Sequence, residues 1–291
     1  MTGMNDYVIF TDSGCDISPE LLGKWKVELI ELLFRKDGGE EDMRPSQVPV
    51  KEFYDRMRAG EVFKTAAANE NMLRQAFVPM LRKGLDVLYV CFSSGLSGTF
   101  GTAKLAAEEL MMEYPERRIL VIDTLCASAG EGLLLRYACA ARDKGASMYE
   151  VGKELLEKRP HLAHWFTVDD LVYLKRGGRV GSVAAFFGGV LNIKPVLHVD
   201  DEGHLIPMQK VRGRINSIKA IVKKYRETAL DPVNGAYFIS HGDSLEDAER
   251  LERMIFDEFG KKAELITDIG PVIGAHSGPG TLALFYLSRE R

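Results

Sequence analysis

In Cys91-Phe92-Ser93-Ser94-Gly95-Leu96-Ser97-Gly98-Thr99-Phe100-Gly101-Thr102-Ala103 a strand gives way to a helix through a turn crowded with hydroxyls and glycines. The run before it, Leu85–Val90, is short and mostly apolar and reads as a buried strand. Ala103–Met112 reads as a helix. A turn between them aims backbone N–H groups and the positive end of the helix dipole at whatever lies above it. Its glycines let backbone approach closely, and its hydroxyls both donate and accept. That chemistry suits an anion such as a carboxylate or a phosphate. It equally suits a capped turn that holds no ligand.

The same unit recurs outward from this point. Tyr7–Thr11 is a short apolar strand that runs into Asp12-Ser13-Gly14-Cys15-Asp16, and Pro19 then opens a helix. Arg118–Ile122 is another strand, ending in Asp123-Thr124-Leu125-Cys126-Ala127-Ser128. Val27–Phe34 reads as one strand, Arg35–Glu41 as a charged hairpin or loop, and Lys64–Asn69 as an irregular link. Helices are expected at Pro49–Ala59, Asn71–Lys83, 127–143 and 147–159. Alternating strands and helices indicate a mostly parallel sheet covered on both faces. Ligands of open α/β sheets bind outside the carboxyl ends of strands, so the three polar turns are expected to share one crevice. Asp12 and Asp123 could orient hydroxyls there; capping their turns is the simpler role.

The second half changes character. Trp165–Val168 ends a strand at Asp169-Asp170, followed by a short helix and the basic turn Lys175-Arg176-Gly177-Gly178-Arg179. Strands 195–200 and 204–209 flank a tight turn and form a hairpin. Helix 214–228, strand 235–240, helix 244–259 and strands 263–267 and 280–287 follow. Between the last two, Gly270–Gly280 reads as a dense loop carrying His276. A histidine fixed in so constrained a segment is a candidate ligand contact. The expected fold class is therefore α/β with two domains. Residues 1–160 form a three-layer α/β/α domain with a parallel sheet, and residues 161–291 form an α+β domain with a mixed sheet.

Composition narrows the function. The chain has 291 residues, 46% hydrophobic and 27% charged, enough for a substantial core. Its net charge of −4 gives no basic field for nucleic acid. No apolar run approaches the roughly 20 residues of a membrane span, and Met1–Phe10 lacks the pattern of a signal peptide. The four cysteines, Cys15, Cys91, Cys126 and Cys139, are scattered without metal-ligand spacing. They read as reduced thiols of a cytoplasmic protein. No Walker A loop, G-x-G-x-x-G or HExxH occurs, and Gly95-Leu96-Ser97-Gly98-Thr99 lacks the second glycine of a nucleophile elbow. No cofactor or metal is expected. Ser97 with His276, oriented by Asp12, Asp123 or Asp268, leaves a serine esterase or acyl-transfer enzyme open as an alternative.

The loops that carry this chemistry also carry a resemblance. The pieces are Thr11-Asp12-Ser13, Ser93–Thr99, Val121-Ile122-Asp123, Val168-Asp169-Asp170-Leu171 and Lys175–Arg179. Asn192-Ile193-Lys194-Pro195, Lys210-Val211-Arg212-Gly213-Arg214 and Ile269–Gly280 complete the set. In this order, from residue 11 to 280, they make the chain resemble the DegV family of fatty-acid-binding proteins that serve bacterial fatty acid kinase. The resemblance implies two α/β domains with a long-chain fatty acid held in a tunnel between them. It implies a carboxylate bound by Thr65, Ser97 and His276, with no catalytic residue of the protein's own, and a kinase subunit as partner. Ser94, Gly98 and Asp12 would support the ligand loop. Phe186, Phe187, Val190 and Leu191 are candidate tunnel-lining residues. The family often reads T-S-x-P where this chain has Thr65-Ala66-Ala67-Ala68, so a neighbouring hydroxyl and a proline are absent.

The resemblance and the residues agree on physics. A buried carboxylate needs several donors. Sequestering a tail of about 16 carbons is worth roughly 0.8 kcal/mol per CH₂, on the order of 11 kcal/mol before association costs. The head group therefore sets orientation and the tail sets affinity. Arg179 and Arg212 stand in basic clusters of an acidic chain, and the resemblance assigns them to docking the kinase.

Overall fold

The computed structural model describes residues 7–179 and 192–291. Phe186, Phe187, Val190 and Leu191, named above as tunnel candidates, lie outside the described residues. In the first half, β1 (Tyr7–Asp12), β2 (Val27–Ile30), β5 (Asp86–Cys91) and β6 (Ile119–Asp123) form a parallel sheet in the order β2-β1-β5-β6. The two central strands, β1 and β5, are buried on both faces, which is why they read as apolar runs rather than alternating ones. Helices α3 (Glu70–Arg82) and α4 (Thr99–Glu113) cover one face through Leu73, Phe77, Ala103 and Ala107. Helices α1 (Pro19–Lys24), α5 (Ala129–Asp143) and α6 (Met148–Lys158) cover the other.

The expected single strand over Val27–Phe34 is broken. After β2 the chain bends, with the Leu32 N–H donating to Ser13 Oγ at 2.9 Å. Phe34–Lys36 then forms β3, which pairs antiparallel with β4 (Phe63–Thr65) in a separate two-stranded ribbon. Lys64-Thr65, expected in an irregular link, thus closes a strand. Helix α2 (Val50–Arg58) packs Phe53, Tyr54 and Met57 beneath this ribbon.

The second half holds a six-stranded mixed sheet, ordered β11-β10-β12-β7-β8-β9. Its strands are β7 (Leu162–Thr167), β8 (Ile193–Val199), β9 (Leu205–Arg212), β10 (Tyr237–His241), β11 (Leu265–Asp268) and β12 (Leu282–Leu287). Only β10 and β11 run parallel; the other neighbours are antiparallel, and β8–β9 is the expected hairpin. Helices α8 (Arg214–Thr228) and α9 (Leu245–Phe259) cover the outer face. The short α7 (Val172–Gly177) follows β7. The segment expected as a glycine-rich loop contains a helix, α10 (Pro271–Ser277). Pro271 and Gly278 are its start and stop signals, and Val272 and Ala275 give it a buried side.

One helix serves both sheets. Leu133, Leu134, Leu135 and Ala138 of α5 share a single apolar cluster with Leu88 and Val90 of β5 and with Phe238 and Phe285 of the mixed sheet. Eleven of its fifteen residues are buried, which explains its weak amphipathic pattern in sequence. No described helix is long and apolar enough to cross a membrane. A shared apolar layer couples the unfolding of the two halves. Leu134→Ala is expected to cost about 2–5 kcal/mol. Trp25, in the first half, and Trp165, in the second, can each be followed alone after Trp165→Phe or Trp25→Phe. Urea transitions from the two reporters should coincide and shift together in the Leu134 variant; separate transitions would contradict the shared layer.

Candidate functional site

The three polar turns meet at one sheet edge because β1, β5 and β6 are adjacent and parallel. Asp12, at the end of β1, is fully buried. Its carboxylate accepts from Gly14 N (2.9 Å), the Tyr89 hydroxyl (2.8 Å) and Phe92 N (3.0 Å). Burial raises its pKa, and these three donors oppose the shift. Asp123 similarly accepts from Ser94 N (3.1 Å) and Leu125 N (3.0 Å). The two carboxylates therefore hold the 92–98 turn from beneath. From above, Ser93 Oγ donates to the Gly203 carbonyl at 3.1 Å. Gly95 lies so near this second-sheet turn that a Cβ would come within 2.6 Å of the Glu202 carbonyl oxygen, so no side chain fits there.

Helix α10 is fastened to the first half just as firmly. Asp16, buried with φ 52°, accepts from Gly270 N at 2.8 Å, and its carbonyl accepts from Thr267 Oγ1 at 2.9 Å. Burial pushes the Asp16 carboxyl up to about 8, although Ser128 and Gly270 donate to it. The Tyr54 hydroxyl donates to the Ile269 carbonyl at 2.9 Å. These ties set the position of His276, near the far end of α10.

Between the 92–98 turn, α10 and the mixed sheet lies a cavity open to solvent at one end. Leu32, Phe92, Leu96, Phe166, Val272 and Phe285 make most of its wall apolar, and Thr65, Ser97, His276 and Arg179 all line it. Thr65, Ser97, His276 and Arg179 are partly exposed, while Phe166, Ala283 and Phe285 are buried. The polar end is the accessible one.

The polar groups at this end are linked to one another. Ser97 Oγ accepts from Thr99 N at 3.2 Å and lies 2.9 Å from Thr99 Oγ1, which in turn accepts from Ala68 N at 3.2 Å. With the Thr99 hydroxyl donating to Ser97, the Ser97 proton is free to donate onward. Thr65 Oγ1 lies 2.7 Å from His276 Nε2. Which of the two donates is set by the imidazole tautomer: in the Nε2-protonated form the Thr65 proton is free as well. His276 Nδ1 faces Gly177 without a well-formed hydrogen bond among the described residues. Burial, with a contribution from the Arg179 charge, pushes the His276 pKa down to about 4, so the ring is neutral at physiological pH. The Thr65 and Ser97 hydroxyls and the neutral imidazole thus form the polar group of the wall, and a carboxylate requires such donors.

Arg179, expected at a docking rim, stands in the cavity wall. Its Nε donates to the Leu96 carbonyl at 3.1 Å and a terminal nitrogen to the Gly177 carbonyl at 2.6 Å. No described carboxylate pairs with it, and burial lowers its pKa. Arg212 is exposed at the end of β9. Ser94 and Gly98 are exposed on the turn, and neither they nor Asp12 line the cavity. Ser277, beside His276, is a lining residue that sequence reasoning passed over; its buried Oγ has no partner among the described residues. Ser97 and His276 are hydrogen-bonded to Thr99 and Thr65 rather than to each other, and Asp12, Asp123 and Asp268 are engaged elsewhere. The described residues contain no cluster of three or more His, Cys, Asp or Glu that could hold a metal.

Fold and site together define a two-domain α/β protein built around an apolar cavity with a polar, accessible end. The chain belongs to the DegV family: the family model described as "Uncharacterised protein, DegV family" matches residues 6–289. A DegV domain-containing protein of Clostridium perfringens is 39% identical over 285 residues, covering 98% of both chains. Among solved structures, a DegV lipid-binding protein from Thermotoga maritima is similar with a TM-score of 0.86 at 30% identity, covering 98% of this chain and 99% of that one. A fatty-acid-binding DegV family protein from Thermus thermophilus matches with a TM-score of 0.87 at 29% identity, covering 97% and 99%.

A neutral, desolvated His276 has a measurable signature. A histidine held below its unfolded pKa of about 6.5 favours the folded state above that pH, and this contribution is lost as pH falls toward the folded pKa. An NMR titration of the imidazole is expected to show a midpoint near 4, as the shifted value requires. Arg179→Gln should move the midpoint upward by removing a positive neighbour. A midpoint near 6.5, unmoved by the substitution, would contradict this electrostatic description.

Proposed function

We propose that this protein binds a long-chain fatty acid in the cavity and presents its carboxylate to a fatty acid kinase for conversion to acyl phosphate. The observation that carries the reading is the polarity of the cavity: Thr65, Ser97, His276 and Arg179 gather at its accessible end and most of the remaining wall is apolar. Thr65 and Ser97 donate to the carboxylate, neutral His276 orients Thr65, and Arg179 supplies the counter-charge that a half-buried anion needs. The tail lies along Phe166, Ala283 and Phe285 and supplies most of the affinity. Fatty acid binding by the similar Thermus thermophilus protein, and lipid binding by that of Thermotoga maritima, support the ligand class. A carboxylate at the accessible end stays within reach of a second protein. The kinase would bring ATP and its metal, in keeping with a chain whose sequence has no phosphate-binding loop. With Arg179 turned toward the ligand, exposed Arg212 is the better candidate for contacting the kinase.

Organic extraction and mass spectrometry of purified protein should release close to one fatty acid per chain. The combined Thr65→Val, Ser97→Ala variant should bind added palmitate at least tenfold more weakly, since each lost charge-assisted bond is worth roughly 1.5–3 kcal/mol. Loaded protein supplied to the kinase with ATP should yield acyl phosphate. Arg212→Glu should slow that step without weakening palmitate binding, because rim charges act mainly on association. A protein that releases no lipid and fails to bind palmitate would overturn the reading. Tight binding without acyl phosphate would overturn the kinase role alone.

A further inference from the structure

Three sequence pieces, Val168–Leu171, Asn192–Pro195 and Lys210–Arg214, do not line the cavity yet meet one another. Lys194 Nζ donates to the Asp169 carbonyl at 3.0 Å and to its carboxylate at 2.8 Å. Arg214 approaches the same carboxylate at 3.7 Å, and its Nε donates to Asp247 Oδ2 at 2.8 Å. Lys194, Arg214 and Asp247 keep most of their side-chain surface from water, so these pairs are screened less than surface ones. The network fixes the chain where it leaves β7. Asp170 Oδ1 then accepts from Val172 N at 2.8 Å and starts α7.

Helix α7, so anchored, lies directly against α10. Tyr173 and Gly177, four residues apart, share one face of it. The Tyr173 ring sits on Gly278, where a Cβ would overlap it and where φ is 81°. Gly177 sits on the His276 ring, and a Cβ there would overlap Nδ1. On the preceding turn of α10, Gly274 is covered in the same way by Tyr54 of α2. His276 therefore stands between two glycines, each seated under a tyrosine. Tyr173 also packs against the cluster that contains Phe53, Tyr54 and Ala275. On the other side of the imidazole, Nε2 lies 2.7 Å from Thr65 Oγ1. The ring is wedged between Gly177 and Thr65, and the width of that slot depends on how closely α7 approaches α10.

We infer that Tyr173 is a positioning residue of the carboxylate site: by seating α7 on Gly278 it holds Gly177 against the His276 ring and the ring against Thr65. Tyr173 does not line the cavity, so it acts through His276 rather than on the ligand. The effect on the ligand rests on the fatty acid reading above; the effect on His276 does not.

The test compares full-length wild type, Tyr173→Phe, Tyr173→Leu and Tyr173→Ala by NMR titration of the His276 imidazole, by palmitate binding after delipidation and by thermal unfolding. In Tyr173→Ala the His276 midpoint should rise from near 4 toward its ordinary value as water reaches the ring. Palmitate should bind about threefold to tenfold more weakly, the range of one net hydrogen bond. Tyr173→Leu should move both in the same direction, and it decides the matter where the alanine variant does not fold. Tyr173→Phe should match wild type in both, because the ring rather than the hydroxyl meets Gly278. A lower melting temperature with midpoint and affinity unmoved in the leucine and alanine variants would overturn the positioning role and leave the fatty acid reading intact. Failure of wild type to bind palmitate would overturn that reading, and the titration alone would then decide whether Tyr173 positions His276.

Discussion

The buried carboxylate of Asp12 is the interaction on which this architecture rests. It reaches across three segments at once: the turn after its own strand, the Tyr89 side chain of the neighbouring strand, and the backbone where that strand exits at Phe92. A carboxylate so deeply buried is tolerated only with its acceptors occupied, and here the donors come from the elements that must be held together. Removing any one would leave a charge or an acid proton stranded in the core. The strand exit is thereby fixed, and Ser97, five residues beyond Phe92, inherits that fixity. Asp16 repeats the device on the other side of the cavity, tying the start of α10 to the first sheet.

From those anchors the site follows as a chain of acceptors. Ala68 N–H occupies Thr99, Thr99 occupies Ser97, and His276 occupies Thr65. The Ala66-Ala67-Ala68 segment, which lacks the family's extra hydroxyl and proline, still contributes through its backbone: Ala66 N donates to Leu33 and Ala68 N to Thr99. Burial, aided by the Arg179 charge, depresses the His276 pKa and keeps that ring neutral, and the charge of Arg179 itself has no described carboxylate to neutralise it.

Much of this was legible in the sequence. Strand-turn-helix units at Asp12–Asp16, Ser93–Thr99 and Asp123–Ser128 foretold a parallel sheet with its polar turns at one edge, because apolar runs and turn residues are local signals. Local signals also misled. Glycine density made 270–280 read as a loop, although Pro271 and Gly278 are helix boundaries. Val27–Phe34 read as one strand because the bend depends on Ser13, which is remote in sequence. Arg179 looked like a rim charge since nothing local reveals that its guanidinium folds back on Leu96 and Gly177.

The central claim is directional: carboxylate at Thr65, Ser97 and His276, tail toward Phe285. A crystal structure with ω-bromopalmitate tests it most directly, because anomalous scattering locates the bromine without interpreting the rest of the ligand. The account predicts a single bromine peak beside Phe166 and Phe285, with carboxylate oxygens within hydrogen-bond distance of Thr65 and Ser97. A bromine at the mouth beside Arg179, or outside the cavity altogether, would contradict it.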